Sequence, residues 1–538
     1  MEKEVGAATI RDGEAVLGIE YGSTRIKAVL IDRAHRVLAI GTHDWENSLE
    51  NGYWTYPQSE LDAGIAAAYA SLKEDCRARY GVAPRRLAAL GVSAMMHGYL
   101  AFDADGRLLV PFRTWRNTTT GRAARALSEA FSFHVPERWS VSHVYQAILD
   151  HEEHVPNIAH LTTLAGYAHY RLTGEWALSV GDASGMFPID SARLAYDERM
   201  LETFAGLAER EGVAWSLPDL LPRVLPAGEV AGRLTEEGAR FLDPTGELEA
   251  GCPVCPPEGD AGTGMIATNS VAPRTGNVSA GTSVFSMVVL ERPLADATRP
   301  EIDLVTTPVG DPVAMVHCNN CTSDLNDLIS VLREYGRLMG ASDDDVYRRL
   351  FELALEGDAD AGGLVSVPFV SGETVMGVDT GVPLQLRAPG THPTLANLMR
   401  SALMSCFAAL ACGNEALAEE GVGIDRLYAH GGVFKTPVVA QRLLAAALRA
   451  PVTVMDTASE GGAWGQAVAA AFMLREDRGE DLARYLDREV FGQVGSSTIA
   501  PDEADVAGFA TYLDRFRRAM AAELAAEGGL GTASGVEA

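Results

Sequence analysis

An α/β protein made of two related halves is what this sequence predicts, and three observations carry the prediction. A glycine-and-hydroxyl loop, Glu20-Tyr21-Gly22-Ser23-Thr24, sits between strand-like runs near the start, and a second, Ala280-Gly281-Thr282-Ser283, sits past the middle. Around each loop the chain runs through the same order of β-hairpin, helices and a late strand, the layout of a duplicated α/β domain. A length of 538 residues, 47% hydrophobic and 22% charged, exceeds what one core organises and fits two large domains.

Each element follows from local pattern. Val16 to Ile19 and Ile26 to Ile31 are apolar runs rich in Val and Ile, so the residues between them read as a tight turn joining two strands. Leu61, Ile65, Ala68, Tyr69 and Leu72 recur at three- and four-residue steps and predict a helix over Ser59 to Tyr80. Leu87 to Ser93 reads as a buried strand leading into Ala94-Met95-Met96-His97-Gly98, followed by Tyr99 to Phe102 and the turn Asp103-Ala104-Asp105-Gly106. The second half repeats this with a hairpin over 276–290, helical stretches over 323–356 and 391–420, a strand from Arg426 to Ala429, a glycine loop, and helices over Pro437 to Leu448 and 463–474. The polar segment Thr268 to Arg274 with Pro273 marks the boundary, giving domains over 1–268 and 269–522. The glycine-rich stretch 523–538 is expected to be frayed or disordered.

A net charge of −29 excludes general affinity for nucleic acid or an anionic membrane. A polyanionic ligand must then be met by local backbone donors, helix N-termini and a metal ion, which is what the two loops offer: glycine admits backbone N–H groups close to an anion and Ser and Thr hydroxyls add donors. The start Met1-Glu2-Lys3-Glu4-Val5 carries no apolar signal core and no run approaches a membrane span, so the expectation is a cytoplasmic protein. Cys252-Pro-Val-Cys255 and Cys318-Asn-Asn-Cys321 mimic a four-thiolate zinc site, but the pairs lie far apart and residues three apart on a strand point to opposite faces; reduced, mostly buried thiols are the simpler reading.

Taken in order, Gly18-Ile-Glu-Tyr-Gly-Ser-Thr, Met96-His97-Gly98, Gly181-Asp-Ala-Ser-Gly185, Gly259-Asp-Ala-Gly-Thr-Gly264, Gly276 to Ser283, Ser371-Gly-Glu373, Gly431-Gly-Val-Phe-Lys-Thr-Pro437 and Glu460-Gly-Gly-Ala-Trp-Gly465 resemble the FGGY carbohydrate kinase family, nearest in look to its xylulokinases. The resemblance covers about residues 16 to 475. It implies two ribonuclease H-like domains of the actin and hexokinase ATPase kind, with the active site in the cleft between them, and ATP and Mg²⁺ as cofactors.

Phosphoryl transfer to an alcohol needs a base, a metal on the phosphates and donors for the transferred group. Asp260 follows a strand-like run among Gly259, Gly262 and Gly264; by residue chemistry it either projects into a cleft or caps a helix starting at Ala261, and the resemblance implies the catalytic base. Glu20, where most of the family carries Asp, is the candidate Mg²⁺ carboxylate, direct or through water, against a solvent-facing strand end. Gly22, Ser23, Thr24, Gly281 and Thr282 are the candidate phosphate contacts; Gly431, Gly432 and Phe434 are expected to carry the adenosine part, with Gly461 and Gly462 bordering that pocket. Met96, His97 and Gly98 resemble the sugar-contacting segment, although a His beside two Met also fits a core, and Trp115 resembles the aromatic wall near the sugar. Two departures weaken transfer of xylulose specificity: Arg116-Asn117-Thr118-Thr119 lacks the acidic hydroxyl acceptor that xylulokinases commonly place after that Trp, and Ala261 stands where they often have Asn.

The resulting expectation is an ATP-dependent kinase for a hydroxyl of a ketopentose or related open-chain sugar or polyol, with sugar and ATP as partners and a homodimer compatible. A non-catalytic sugar-sensing relative and an actin- or chaperone-like ATPase share the fold and are the alternatives.

Overall fold

The computed structural model describes residues 2–391, 393–456 and 461–530, so Glu460 of the last motif and residues 531–538 of the expected tail lie outside it. Two seven-stranded mixed sheets organise the chain. In the first, β1 (Val16–Tyr21), β2 (Arg25–Ile31) and β3 (Val37–Asp44) form an antiparallel meander, and β4 (Ala89–Ala94) runs parallel to β1. Beyond β4 lie β5 (Gly232–Arg233), β6 (Pro253–Val254) and β7 (Glu258–Gly259); β6 and β7 each pair parallel with β4. All six residues of β4 are buried, as expected of a central strand covered on both faces.

The second sheet repeats the plan. β8 (Thr275–Ala280) and β9 (Val284–Val289) form its hairpin, and β10 (Asp303–Thr306) and β11 (Pro312–Cys318) continue antiparallel beyond β9. On the other side of β8, β12 (Arg426–His430) and β13 (Val452–Met455) run parallel and β14 (Ser496–Ile499) closes the edge antiparallel.

Helices cover both sheets. The N-terminal α1 (Glu2–Asp12) was not legible as a helix. α2 (Gln58–Tyr80) buries Ala68 together with Leu61, Ile65 and Leu72, the last three each contributing about 1.5–3 kcal/mol of hydrophobic stabilisation, and ends where Gly81, at φ 75°, returns its N–H to Arg77. α3 (Asp260–Ala267) follows β7 directly. The second half carries α4 (Ser323–Leu338), α5 (Asp343–Ala354), α6 (Leu395–Glu419), α7 (Val439–Leu448), α8 (Gly461–Met473) and α9 (Glu503–Leu530). α6 is long and apolar enough to cross a membrane by composition alone, but most of it is buried in the core of the second half.

Two features differ from the sequence reading. The stretch from Glu523 does not fray where expected: α9 continues to Leu530, because Glu523 is buried and accepts from Val382 N at 2.6 Å while Glu527 accepts from Thr380 Oγ1 at 2.7 Å. And α8, drawn by sequence into the second domain, packs on the first sheet. A Cβ at Gly18 would stand 2.1 Å from Ala463 O, and one at Gly465 would stand 2.2 Å from Thr263 O, so α8 meets β1 and α3 backbone to backbone. Ala463, Ala467, Phe472, Leu486 and Phe491 accordingly share one core with Val29 and Met265.

Candidate active site

β1 ends at the first turn, and Glu20 lies one residue from its end, opposite Lys27 of β2 and Ser93 of β4. On the far side of β4, β7 delivers Asp260 to the first position of α3. The helix cap is Gly259, which makes no side-chain capping bond, so Asp260 is not the N-cap. Its Oδ1 instead accepts the backbone N–H of Met96 at 3.1 Å, from the segment that follows β4. Asp260 is an exposed residue whose carboxylate lies among protein atoms, and burial raises its pKa against the lowering effect of N–H groups from Met96 and Ala261.

Glu20 is half-buried beside it. Its pKa is pushed up to about 7, chiefly by burial and then by the charge of Asp260, with the N–H of Ala463 and the charge of Lys27 opposing. Ala463 N donates to Glu20 Oε2 at 3.2 Å, which ties the carboxylate to the first turn of α8. The charge of Asp260 raises the pKa of Glu20, a repulsion that a hard cation relieves, and the carboxylate oxygens are donors of the kind Mg²⁺ takes.

Two buried acids behind Asp260 escaped a functional reading of the sequence. Asp182 accepts Thr163 Oγ1 at 2.6 Å, has a second oxygen without a partner, and is pushed up to about 7 by burial. Glu258 accepts Ser179 Oγ and Gly259 N and is pushed up to about 8, again by burial first. Asp182 lay in a quoted motif, but nothing local distinguishes a buried acid from a surface one.

The phosphate-turn candidates are held from behind. Gly22 N donates to Arg25 O at 3.0 Å, closing the first turn, while Trp45 Nε1 donates to Gly22 O at 2.7 Å and Tyr56 OH to Ser23 O at 2.6 Å. Thr24 is exposed beyond them. In the second turn Gly281 N donates to Ser283 O, and Thr322 Oγ1 and Cys321 N fix the carbonyls of Gly281 and Thr282, which are themselves exposed.

Gly281 opens onto a cavity of about 730 Å³ between the second turn, α4, α5 and the loop after β12. Gly432 lines it. Gly431, at φ 123°, lies so close to the turn that a Cβ would stand 1.9 Å from Ala280 O. Arg333, Tyr347, Arg348 and Lys435 also line the cavity and were not singled out by sequence. Phe434 corrects the expectation: its ring is buried in the core and stacks on Phe407 at 6.2 Å, so it does not face the cavity. Gly461 and Gly462 open α8, and Gly462 sits beside Glu20 and Thr263; neither is among the residues lining this cavity.

In the segment expected to meet the sugar, the structure buries the His97 ring, at 5% exposure, against Trp139. Burial lowers its pKa to about 3, so it is neutral, and because Gly185 O can only accept, Nδ1 carries the proton at 3.2 Å and Nε2 is left an acceptor. His97 and Gly98 both have positive φ, 71° and 93°, and bend the chain directly after Met96, whose N–H is held by Asp260. Trp115 is 39% exposed. Asn117 is buried and fully engaged: its Oδ1 accepts Trp54 N at 2.8 Å and its Nδ2 donates to Trp54 O and Thr114 O, both at 2.9 Å. The departure at this position is thus a structural amide. Arg116 stacks over the Trp54 ring at 3.9 Å.

The two halves are bonded near this site. Thr306 of β10 donates its N–H to Ser184 Oγ and its hydroxyl to Val180 O, both at 3.0 Å, and Arg138 and His134 pair with Asp303. The cysteines divide between cores: Cys255 packs in the core shared with α8, while Cys318 and Cys321 lie in that of the second half.

Comparison with known proteins places the chain. The N-terminal domain of the FGGY family of carbohydrate kinases matches residues 15–266 and its C-terminal domain matches 276–474. The xylulose kinase of Streptomyces coelicolor is 28% identical over 60% of this chain and 63% of its own length; that of Haemophilus influenzae is 21% identical over 93% and 98%. A glycerol kinase of Thermococcus gammatolerans is 26% identical over 41% of this chain and 45% of its own. The fold is that of the solved xylulose kinase of Rhodospirillum rubrum, with a TM-score of 0.76 at 21% identity over 96% of this chain and 100% of that one. A gluconate kinase of Lactobacillus acidophilus has a TM-score of 0.76 at 14% identity over 96% and 99%. With both family domains matched in order over most of its length, the chain belongs to the FGGY family of carbohydrate kinases and is an ATP-dependent sugar kinase.

Proposed function

We propose that this kinase phosphorylates a hydroxyl of an open-chain ketose of the xylulose kind or a related polyol, with Asp260 as general base. The observation that carries the reading is the Asp260 carboxylate, fixed by Met96 N at 3.1 Å near Glu20, on an exposed residue. A raised pKa makes it a better proton acceptor than an ordinary carboxylate at neutral pH.

Asp260 takes the proton of the sugar hydroxyl as the oxygen attacks the γ-phosphorus; the bond from that phosphorus to the β–γ bridging oxygen breaks, and ADP leaves. Mg²⁺ held near Glu20, directly or through water, would neutralise phosphate charge when bound. The turn N–H groups at Gly22 to Thr24 and at Gly281 and Thr282 hold phosphate oxygens, and the cavity lined by Gly432, Tyr347 and Arg333 takes the nucleoside. Trp115 offers an apolar wall to the sugar C–H face, and His97 Nε2 accepts from a sugar hydroxyl. Support for a ketopentose comes from the xylulose kinases among the relatives. Support for a wider range comes from the glycerol and gluconate kinases beside them and from an Asn117 whose amide is already engaged. We further propose the N-terminal domain over 1–268 and the C-terminal domain over 269–522, amended by the return of α8 to the first sheet.

The test is Asp260→Ala in a coupled ADP-release assay across ketopentoses, tetroses, polyols and sugar acids. A fall in kcat of about 10²–10⁴-fold with nucleotide binding retained is expected for loss of a general base. Turnover near that of the parent chain would overturn the assignment.

A further inference from the structure

The Glu20 carboxylate leans toward α8, and a gap in α8 receives it. Glu20 Oε2 takes the N–H of Ala463 at 3.2 Å, while its Oε1 lies 2.2 Å from where a Cβ on Gly462 would stand. Gly461, at φ 63°, occupies backbone space that favours glycine, but Gly462 is not among the residues with positive φ. Its backbone conformation is open to any residue; what requires glycine there is the space filled by Glu20. Both partners are constrained: β1 and α8 already touch backbone to backbone at Gly18, so α8 cannot lift away to admit a methyl group.

We propose that Gly462 is a positioning residue for Glu20: the missing Cβ lets the longer acid lay its carboxylate on the N-terminal turn of α8, and that seat fixes where the metal-holding oxygens stand relative to Asp260. A methyl group at 462 forces Glu20 off Ala463 N and leaves that carboxylate misplaced. With aspartate at position 20, one methylene shorter, the same methyl group meets no carboxylate. It still meets Thr263 Oγ1, 2.8 Å from the Cβ position, but that contact is common to both backgrounds and cancels in a double-mutant cycle.

The proposal rests on the reading of Glu20 as metal-holding only for its metal readout, so the experiment reads two quantities. Four full-length proteins are compared: the parent chain, Gly462→Ala, Glu20→Asp, and the double variant. Thermal melting without ligand reports the packing; Mn²⁺ binding in the presence of ADP, followed by electron paramagnetic resonance, reports the site. Gly462→Ala is expected to lower the melting temperature by about 2–4 °C in the parent background and by less than half of that in the Glu20→Asp background. Mn²⁺ affinity is expected to fall about tenfold in Gly462→Ala and to return in the double variant to the level of Glu20→Asp, a coupling of the size contacting residues show. Equal melting losses in both backgrounds overturn the pairing. Coupled melting with unchanged Mn²⁺ affinity in all four proteins supports the pairing and sinks the metal-holding role of Glu20. Should Gly462→Ala fail to fold, the double variant must fold, and its failure overturns the proposal.

Discussion

Replacing Glu20 by Gln isolates what it takes to keep a carboxylate beside Asp260. Glu20 titrates from 4.5 in the unfolded chain to about 7 in the folded one, chiefly because burial disfavours its charge and then because Asp260 repels it. Below pH 4.5 it is protonated in both states and contributes no penalty; as the pH rises through 7 the folded protein must carry a charge that the unfolded chain carries freely in water. A pKa raised this far corresponds to about 3 kcal/mol of folding free energy lost above pH 8 and retained below pH 4.5. Glutamine keeps an oxygen to accept Ala463 N and never ionises. Urea unfolding without nucleotide or metal should therefore show Glu20→Gln more stable than the parent chain at about pH 8.5, by up to about 3 kcal/mol, with the gain shrinking toward zero at about pH 5. Added Mg²⁺ and ADP should reverse the order at the higher pH, because a ligand that binds only the folded parent chain stabilises it by mass action. A stability difference that is the same at both pH values would refute the placement of Glu20 next to Asp260 in a poorly solvated site.

Two further substitutions test the walls of the site. Asn117→Asp removes two donors from the carbonyls of Trp54 and Thr114 and buries a charge; a loss of about 1–3 kcal/mol in urea unfolding is expected, and a stability equal to the parent's would show that the amide does not hold Trp54. Gly431→Ala places a Cβ 1.9 Å from Ala280 O at φ 123°, so the second phosphate turn must shift. A weakened ADP affinity in calorimetry, with the Asp260-dependent pH profile unchanged, is expected, and unaltered ADP affinity would argue that this turn does not meet phosphate.

What the sequence made legible is what short-range chemistry determines. The hairpins at Gly22 and Gly281 are closed by bonds within three residues, so turn residues between Val- and Ile-rich runs suffice to find them. α2 shows its helical period because one face packs on a core, whereas α6 is buried almost all round and shows itself by the length of its apolar run. The positions that escaped are set by partners far along the chain. Met96 N reaches Asp260 across 164 residues, and the seat of Glu20 at Ala463 lies 443 residues away. The return of α8 to the first sheet is likewise invisible, since an Ala- and Gly-rich helix packs equally well on either half by composition alone. Arg333, Tyr347 and Arg348 were passed over because helical periodicity separates a buried face from an exposed one and has no signature for a face that borders a cavity.

Asn117 shows why a departure from a family pattern has no single meaning until hydrogen bonds are counted. Read along the chain, Asn in place of an acidic residue is a lost hydroxyl acceptor, which points to a changed substrate. Read in space, the amide accepts once and donates twice to neighbouring backbone, a set of bonds that a carboxylate cannot make because it has no donor. The same residue thus secures the Trp54 segment on which Arg116 stacks. An acid restored at this position would take two donors from the carbonyls of Trp54 and Thr114, so any regained acceptor comes with a loosened Trp54 segment.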